Sequence, residues 1–180
     1  PRNTRPLTDR MKVRIFDVLG SDIANKSVLD LYAGAGSFAL EALSRGAKEA
    51  TLVDASKQGN IIIQRNVAHT GFLPQADVIK SKVEDFIQKY KESDKTWDII
   101  FMDPPYKLYN TKRIEKMERI INDASSLLPG VKNPKTKKFK GAFIIKHPKR
   151  YPIDKLNLKY IKRVDTYEFG LNSISLYIVK

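Results

Sequence analysis

The 180-residue chain contains no cysteine, which excludes disulfides and thiolate zinc sites. Histidine is almost as scarce. His69 and His147 stand far apart and form no metal motif, so each is expected at the surface or in the core, and no metal is expected. No apolar stretch reaches the length of a bilayer span, and no signal-peptide pattern is visible. Acidic residues are few: 20 Asp and Glu face 33 Lys and Arg, a net charge of +13. That imbalance points to a polyanionic partner, because Lys and Arg gain free energy by releasing counterions from phosphates. Lys132, Lys135, Lys137, Lys138 and Lys140 crowd one polar segment, and Lys146, Lys149 and Arg150 follow. Pro129 to Lys140 reads as an exposed loop able to slide along nucleic-acid phosphates.

Apolar residues make up 42% of the chain, enough for a globular core in one domain. Thr8 is expected to cap a helix from Asp9 to Leu19, with Met11, Ile15, Val18 and Leu19 on one stripe. Strands are expected at 28–32, 51–53, 76–81, 97–102 and 142–146. Helices are expected at 37–44, 57–69, 83–91 and 111–127. Lys159 to Phe169 and Ser173 to Val179 read as a closing antiparallel pair. Such alternation implies a mostly parallel, doubly wound α/β sheet with ligands at the strand C-termini.

Two motifs fall at such ends. Asp103-Pro104-Pro105-Tyr106 follows an apolar strand. A carboxylate and a backbone carbonyl together can hold a flat ring by its exocyclic amine, drawing the nitrogen out of conjugation. Pro104 stiffens the turn, and Tyr106 offers a face for stacking. Upstream, Asp30-Leu31-Tyr32-Ala33-Gly34-Ala35-Gly36 reads as strand and glycine turn before a helix. The glycines allow close approach of a ligand, and the helix N-terminus faces it. Ala39 stands where a dinucleotide fingerprint would want a third glycine, which weakens a nicotinamide or flavin reading. Asp54, about 20 residues past Gly34, stands where a carboxylate can take ribose hydroxyls.

These motifs carry a resemblance. With Arg5-Pro6-Leu7-Thr8-Asp9-Arg10, the run from Asp30 to Ala47, and Phe169 to Tyr177, the chain resembles the bacterial RsmD-like family of S-adenosylmethionine-dependent methyltransferases. These act on guanine N2 of small-subunit (16S) ribosomal RNA. The resemblance implies a Rossmann-like class I methyltransferase fold over residues 1–180, with an N-terminal segment 1–20, a core 27–180 and a C-terminal antiparallel hairpin. Family members usually carry a further basic N-terminal segment, expected here to be absent.

The resemblance also assigns roles. Asp30, Tyr32, Ala33, Gly34, Gly36, Asp54 and Ala55 are expected to hold S-adenosylmethionine. Where the family usually has an acid near the adenine this chain has Lys82, with Glu84 and Asp85 nearby, which leaves the adenine contact to these or to backbone groups. Asp103, Pro104, Pro105 and Tyr106 are expected to perform the chemistry. Arg5, Thr8, Arg10, Tyr106 and Lys146 are expected to meet the substrate; Lys146 stands where relatives often have Glu. The expected setting is a cytoplasmic monomer acting on ribosomal RNA or the small subunit. Two rivals stand beside this reading: an adenine-N6 methyltransferase on DNA or RNA, and a noncatalytic RNA-binding assembly factor.

Overall fold

A computed structural model describes residues 7–180. Seven strands form one sheet: β1 (Ser27–Leu31), β2 (Glu49–Asp54), β3 (Ala76–Lys80), β4 (Ile99–Met102), β5 (Ala142–Pro148), β6 (Ile161–Phe169) and β7 (Asn172–Val179). Their order is β3-β2-β1-β4-β5-β7-β6. The first five strands pair in parallel, and β7 runs antiparallel between β5 and β6. This is the Rossmann-like α/β sheet with a C-terminal antiparallel hairpin. Among the described residues six α-helices accompany it: α1 (Asp9–Leu19), α2 (Ser37–Ser44), α3 (Lys57–Thr70), α4 (Val83–Lys91), α5 (Ile114–Ser125) and the short α6 (Pro129–Lys132).

The period-2 alternation of strand side chains divides the core between the two sheet faces. On β1, Val28 packs with Phe16, Phe38, Leu52 and Phe101 beneath α1, α2 and α3. Its neighbour Leu29 packs on the opposite side with Phe86, Trp97, Met117 and Ile121 from the α4 and α5 side. Every residue of β4 is buried, as a central strand covered on both faces requires. Fully burying each such large apolar side chain contributes about 1.5–3 kcal/mol.

Strand order reverses between β1 and β4, the position where open α/β sheets leave a crevice. Leu31 and Met102 are register partners there. The residues that follow them, Tyr32 and Asp103, therefore emerge side by side. The glycine turn and the Asp-Pro-Pro-Tyr segment share one rim for this reason.

Three expectations need correction. The fourth strand begins at Ile99, not at Trp97. Asp98 leaves the ladder because its Oδ2 accepts the Ser27 N–H and hydroxyl, at 2.9 and 3.1 Å. The helix expected from residue 111 starts at Ile114; before it, Asn110 Oδ1 accepts the Lys112 N–H in a turn. The lysine segment is not wholly open. α6 occupies its start, and the Gly130 N–H donates to the Lys140 carbonyl at 2.7 Å. Lys132 turns inward, donating to the carbonyls of Tyr90 and Ser93.

Candidate active site

Thr8 caps α1, its Oγ1 accepting the Met11 N–H at 3.3 Å. The residue before it, Leu7, lines a cavity of about 620 Å³ beside the β1 and β4 ends. Arg5 lies outside the described residues. Asp30, Tyr32, Ala33, Gly34 and Asp103 all line this cavity. A volume of that order suits a small-molecule ligand.

The glycine turn is built tightly. Gly34 and Gly36 have φ of 65° and 80°, a left-handed region open to glycine. A Cβ on Gly36 would also stand 2.9 Å from Leu52 Cδ2. Tyr32 shares the left-handed backbone at φ 61° without being glycine. Its hydroxyl donates to Glu84 Oε1 at 3.2 Å, and burial, reinforced by that carboxylate, holds the phenol in its neutral form. Lys82, Glu84 and Asp85 are all exposed around the start of α4.

Asp30 is 1% exposed, and its Oδ2 accepts the Ala39 N–H in the first turn of α2 at 3.2 Å. Asp54, 3% exposed, ties the turn to α3. Its Oδ2 accepts the Gly34 N–H at 3.0 Å, and its Oδ1 accepts the N–H and hydroxyl of Ser56, each at 3.0 Å. Ser56 caps α3, accepting the Gly59 N–H at 2.8 Å. Asp54 thus stands behind the cavity wall formed by Ser56, Gln58 and Gly59, and Ala55 is exposed beside it.

On the opposite wall, the Asp103 N–H continues the sheet by donating to the Leu31 carbonyl at 3.3 Å. Pro104 is buried, Pro105 half-buried and Tyr106 exposed at the rim. The Tyr106 hydroxyl donates to Asn172 Oδ1 at 3.1 Å, fixing the ring's outer end to the β6–β7 hairpin. Lys146 is sealed from solvent, with its Nζ 3.5 Å from Asp103 Oδ2. The Tyr109 hydroxyl donates to the Lys146 carbonyl at 2.5 Å, and burial followed by Asp103 pushes that phenol's pKa well up. Arg10 stands apart, its guanidinium 5.9 Å from the Phe169 ring centroid in a separate groove between α1 and β6.

A family described as "Conserved hypothetical protein 95" matches residues 1–177. The chain belongs to this family. Among curated relatives, the ribosomal RNA small subunit methyltransferase D of Buchnera aphidicola is 32% identical over 104 residues, covering 58% of this chain and 53% of that protein. The ribosomal RNA large subunit methyltransferase I of Klebsiella pneumoniae is 30% identical over 113 residues, 62% of this chain and 28% of that protein. The chain thus spans about half the length of the first of these relatives. A Haemophilus influenzae structure named as a candidate methylase has TM-score 0.69 and 26% identity, covering 96% of this chain and 98% of that one. A candidate methyltransferase crystallised with SAH has TM-score 0.72 and 17% identity, covering 94% and 49%; that likeness concerns the fold alone.

For this family member, sequence reasoning missed part of the cavity: Leu7, Ser37, Phe38, Ser56, Gln58, Gly59, Ile62 and Phe101. Ser56 and Gly59 carried a legible signal, a cap residue followed three positions later by glycine. Phe101 carried none, since on a strand buried on both faces nothing in the sequence says which residue borders a cavity. Among the described residues no group of His, Asp and Glu could hold a metal ion, and no helix is long and apolar enough to cross a membrane.

Proposed function

We propose that this protein, acting as one domain over residues 1–180, methylates the exocyclic N2 of an unpaired guanine in small-subunit ribosomal RNA, with S-adenosylmethionine as donor. The carrying observation is that Gly34 and Asp103 line the same cavity of about 620 Å³. A cofactor held by the glycine turn would therefore lie against the carboxylate that receives the amine. The family relatives named as ribosomal RNA methyltransferases support this substrate class. The neighbour complexed with SAH supports the cofactor.

The lining suits the cofactor's chemistry. Asp30 offers a buried carboxylate for an ammonium, and the turn from Ala33 to Ala35 offers backbone beside the N-terminus of α2 for a carboxylate. Asp54 holds that turn in shape, and with Ala55 it would serve the ribose hydroxyls. When bound, the cofactor supplies a methyl group already activated on a sulfonium. The protein's task is then mostly positioning. Asp103 accepts one N–H of the guanine amine and the Pro104 carbonyl accepts the other. Held this way, the nitrogen lone pair would be freed from the ring and aimed at the methyl group that the cofactor would supply. The proton given up would be the one hydrogen-bonded to Asp103, passing by way of that carboxylate to solvent. Tyr106 stacks on the base, which must leave any helix to reach the pocket. Thr8, next to the cavity-lining Leu7, and Arg10, in the groove between α1 and β6, would be the RNA contacts of α1. The reading places the protein as a monomer in the bacterial cytoplasm.

The test is incubation with methyl-labelled S-adenosylmethionine and small-subunit particles lacking the modification, followed by digestion of the RNA. Label in N2-methylguanine, lost in Asp103→Ala with cofactor binding retained, is the expected result. Label in N6-methyladenine, or only in large-subunit RNA, overturns the substrate. Failure to bind the cofactor overturns the enzymatic reading in favour of an RNA-binding assembly factor.

A further inference from the structure

Lys135, Lys137, Lys138 and Lys140 are exposed on the segment between α6 and β5, and residues 131–140 contain no acid. The fold joins them to cations that are remote in sequence. Lys26 Nζ lies 5.0 Å from the Phe139 ring centroid, and the Lys48 N–H donates to the Lys26 carbonyl at 2.9 Å. Lys26, Lys48 and Gly141 immediately precede β1, β2 and β5. Lysines from three separate segments therefore collect at the N-terminal ends of the parallel strands.

The segment has a fixed shape. The Gly130 N–H to Lys140 carbonyl bond closes its base, and Phe139 packs against the core. Acids lie at the border of this cluster and not within the segment, Glu92 and Asp94 beside Lys132 among them. Asp98 accepts from Ser27, and Glu49 lies 3.7 Å from Lys95. The result is a cationic platform in which Lys48, Lys135, Lys137, Lys138 and Lys140 are exposed and the half-buried Lys26 sits over Phe139 at its base.

The candidate active site lies at the other end of the same strands. From Lys26 to Tyr32 the chain advances six residues, roughly 20 Å at about 3.3 Å each. That equals about six nucleotide steps at ~3.4 Å. Nucleotides next to a flipped base in the cavity do not reach the platform.

We propose that this platform is a second RNA-binding surface, which grips the phosphate backbone of a segment distant from the target nucleotide. The proposal rests on the RNA substrate named above, and it makes the preferred ligand a large folded RNA rather than a small stem-loop. Lysine without an acidic counterpart complements phosphate, and it does so without reading sequence.

The experiment measures binding of the full chain to folded small-subunit RNA and to a stem-loop of about four base pairs carrying the target, across a salt series. The triple variant Lys135→Ser, Lys137→Ser, Lys138→Ser is expected to bind the folded RNA on the order of ten-fold more weakly. The slope of log affinity against log salt should become shallower by roughly two to three, the loss of about three phosphate contacts. Stem-loop binding and S-adenosylmethionine binding should stay unchanged, and the matching triple Arg variant should restore the slope. An unchanged slope on folded RNA overturns the proposal, as does an equal loss on both RNAs. Because binding is read without catalysis, a wild-type protein that grips folded RNA through these lysines but transfers no methyl group overturns the proposed reaction and leaves the platform standing.

Discussion

The ammonium of Lys146, 2% exposed, stands 3.5 Å from Oδ2 of Asp103, whose own side chain is 17% exposed. The cation comes from β5 and the carboxylate follows β4, so two neighbouring strands hold the pair in place. A carboxylate has about four acceptor positions, of which one ammonium takes only a part. In the proposed reaction Lys146, sealed from solvent, would act on Asp103 and not on RNA directly.

Lys146→Met should lower kcat by about 10- to 100-fold, the worth of one hydrogen bond to a charged group. Affinity for S-adenosylmethionine, measured calorimetrically, should stay within about two-fold of wild type. Asp103→Asn should lower kcat at least as far. Adding Lys146→Met to Asp103→Asn should then cost little more, because residues acting through one interaction are not additive. Independent, multiplying losses in the double variant would show that the two residues are not coupled.

Tyr106 has two separable parts. Its hydroxyl donates to Asn172 Oδ1, while its ring remains 36% exposed at the rim. Tyr106→Phe keeps the ring, and its effect on kcat/KM for RNA should be small, within about five-fold for one lost neutral hydrogen bond. Tyr106→Ala removes the stacking face, so KM for RNA should rise by about 5- to 150-fold, matching ~1–3 kcal/mol per stacked base. Equal defects in both variants would assign the hydroxyl tether, not the ring, to substrate binding.

The sequence displayed the strand–turn–helix order because buried strands and capped helices leave regular signals. The expected limits of 9–19, 37–44 and 83–91 coincide with α1, α2 and α4. It also displayed both motifs, since glycine and proline mark turns wherever they fall. The Lys146–Asp103 pair was not legible. Its partners are 43 residues apart, and only the β4–β5 register brings them together. The lysine platform was half legible: the run 135–140 stood out, but the approach of Lys26 and Lys48 depends on strand order. Trp97 misled the fourth strand's start, because an aromatic residue has strand character even where, as here, its indole donates to Thr51 Oγ1 from outside the ladder.

Gly59 has no left-handed backbone to explain it, yet its position excludes a side chain. A Cβ there would lie 2.6 Å from Ser56 Oγ and 2.7 Å from Asp54 Oδ1. Both atoms belong to the network that ties α3 to the glycine turn, so neither can yield without releasing a hydrogen bond. Gly59→Ala should destabilise the fold by about 1–3 kcal/mol, the range for overpacking. It should also weaken S-adenosylmethionine binding while leaving kcat at saturating cofactor near wild type. Gly71→Ala is the control, since nothing lies within 4 Å of its Cβ position; its own penalty comes from a φ of 80° and should spare the cofactor site. Equal cofactor affinity in Gly59→Ala and wild type would contradict the account.

His147 supplies a pH test of the core. It is 3% exposed, with Nδ1 2.9 Å from the Pro148 carbonyl and Nε2 2.7 Å from Ser175 Oγ. A carbonyl only accepts, so Nδ1 carries the proton and Nε2 accepts from the serine hydroxyl. Burial is the main cause that lowers this imidazole's pKa below its ordinary 6.5, against a smaller opposing effect of the Pro148 carbonyl. The unfolded chain therefore takes up a proton near pH 6.5 that the folded chain still refuses. Stability from this residue is fully present above that pH and is lost as pH falls toward the folded pKa, by at most ~1.4 kcal/mol per pH unit. His147→Gln does not titrate and can still donate to one neighbour and accept from the other. Measured by urea unfolding at pH 7.5 and pH 5.5, wild type should lose more stability than the variant, and the gap between them should narrow or reverse on acidification. A gap independent of pH would mean that the buried imidazole is not a source of acid sensitivity in this fold.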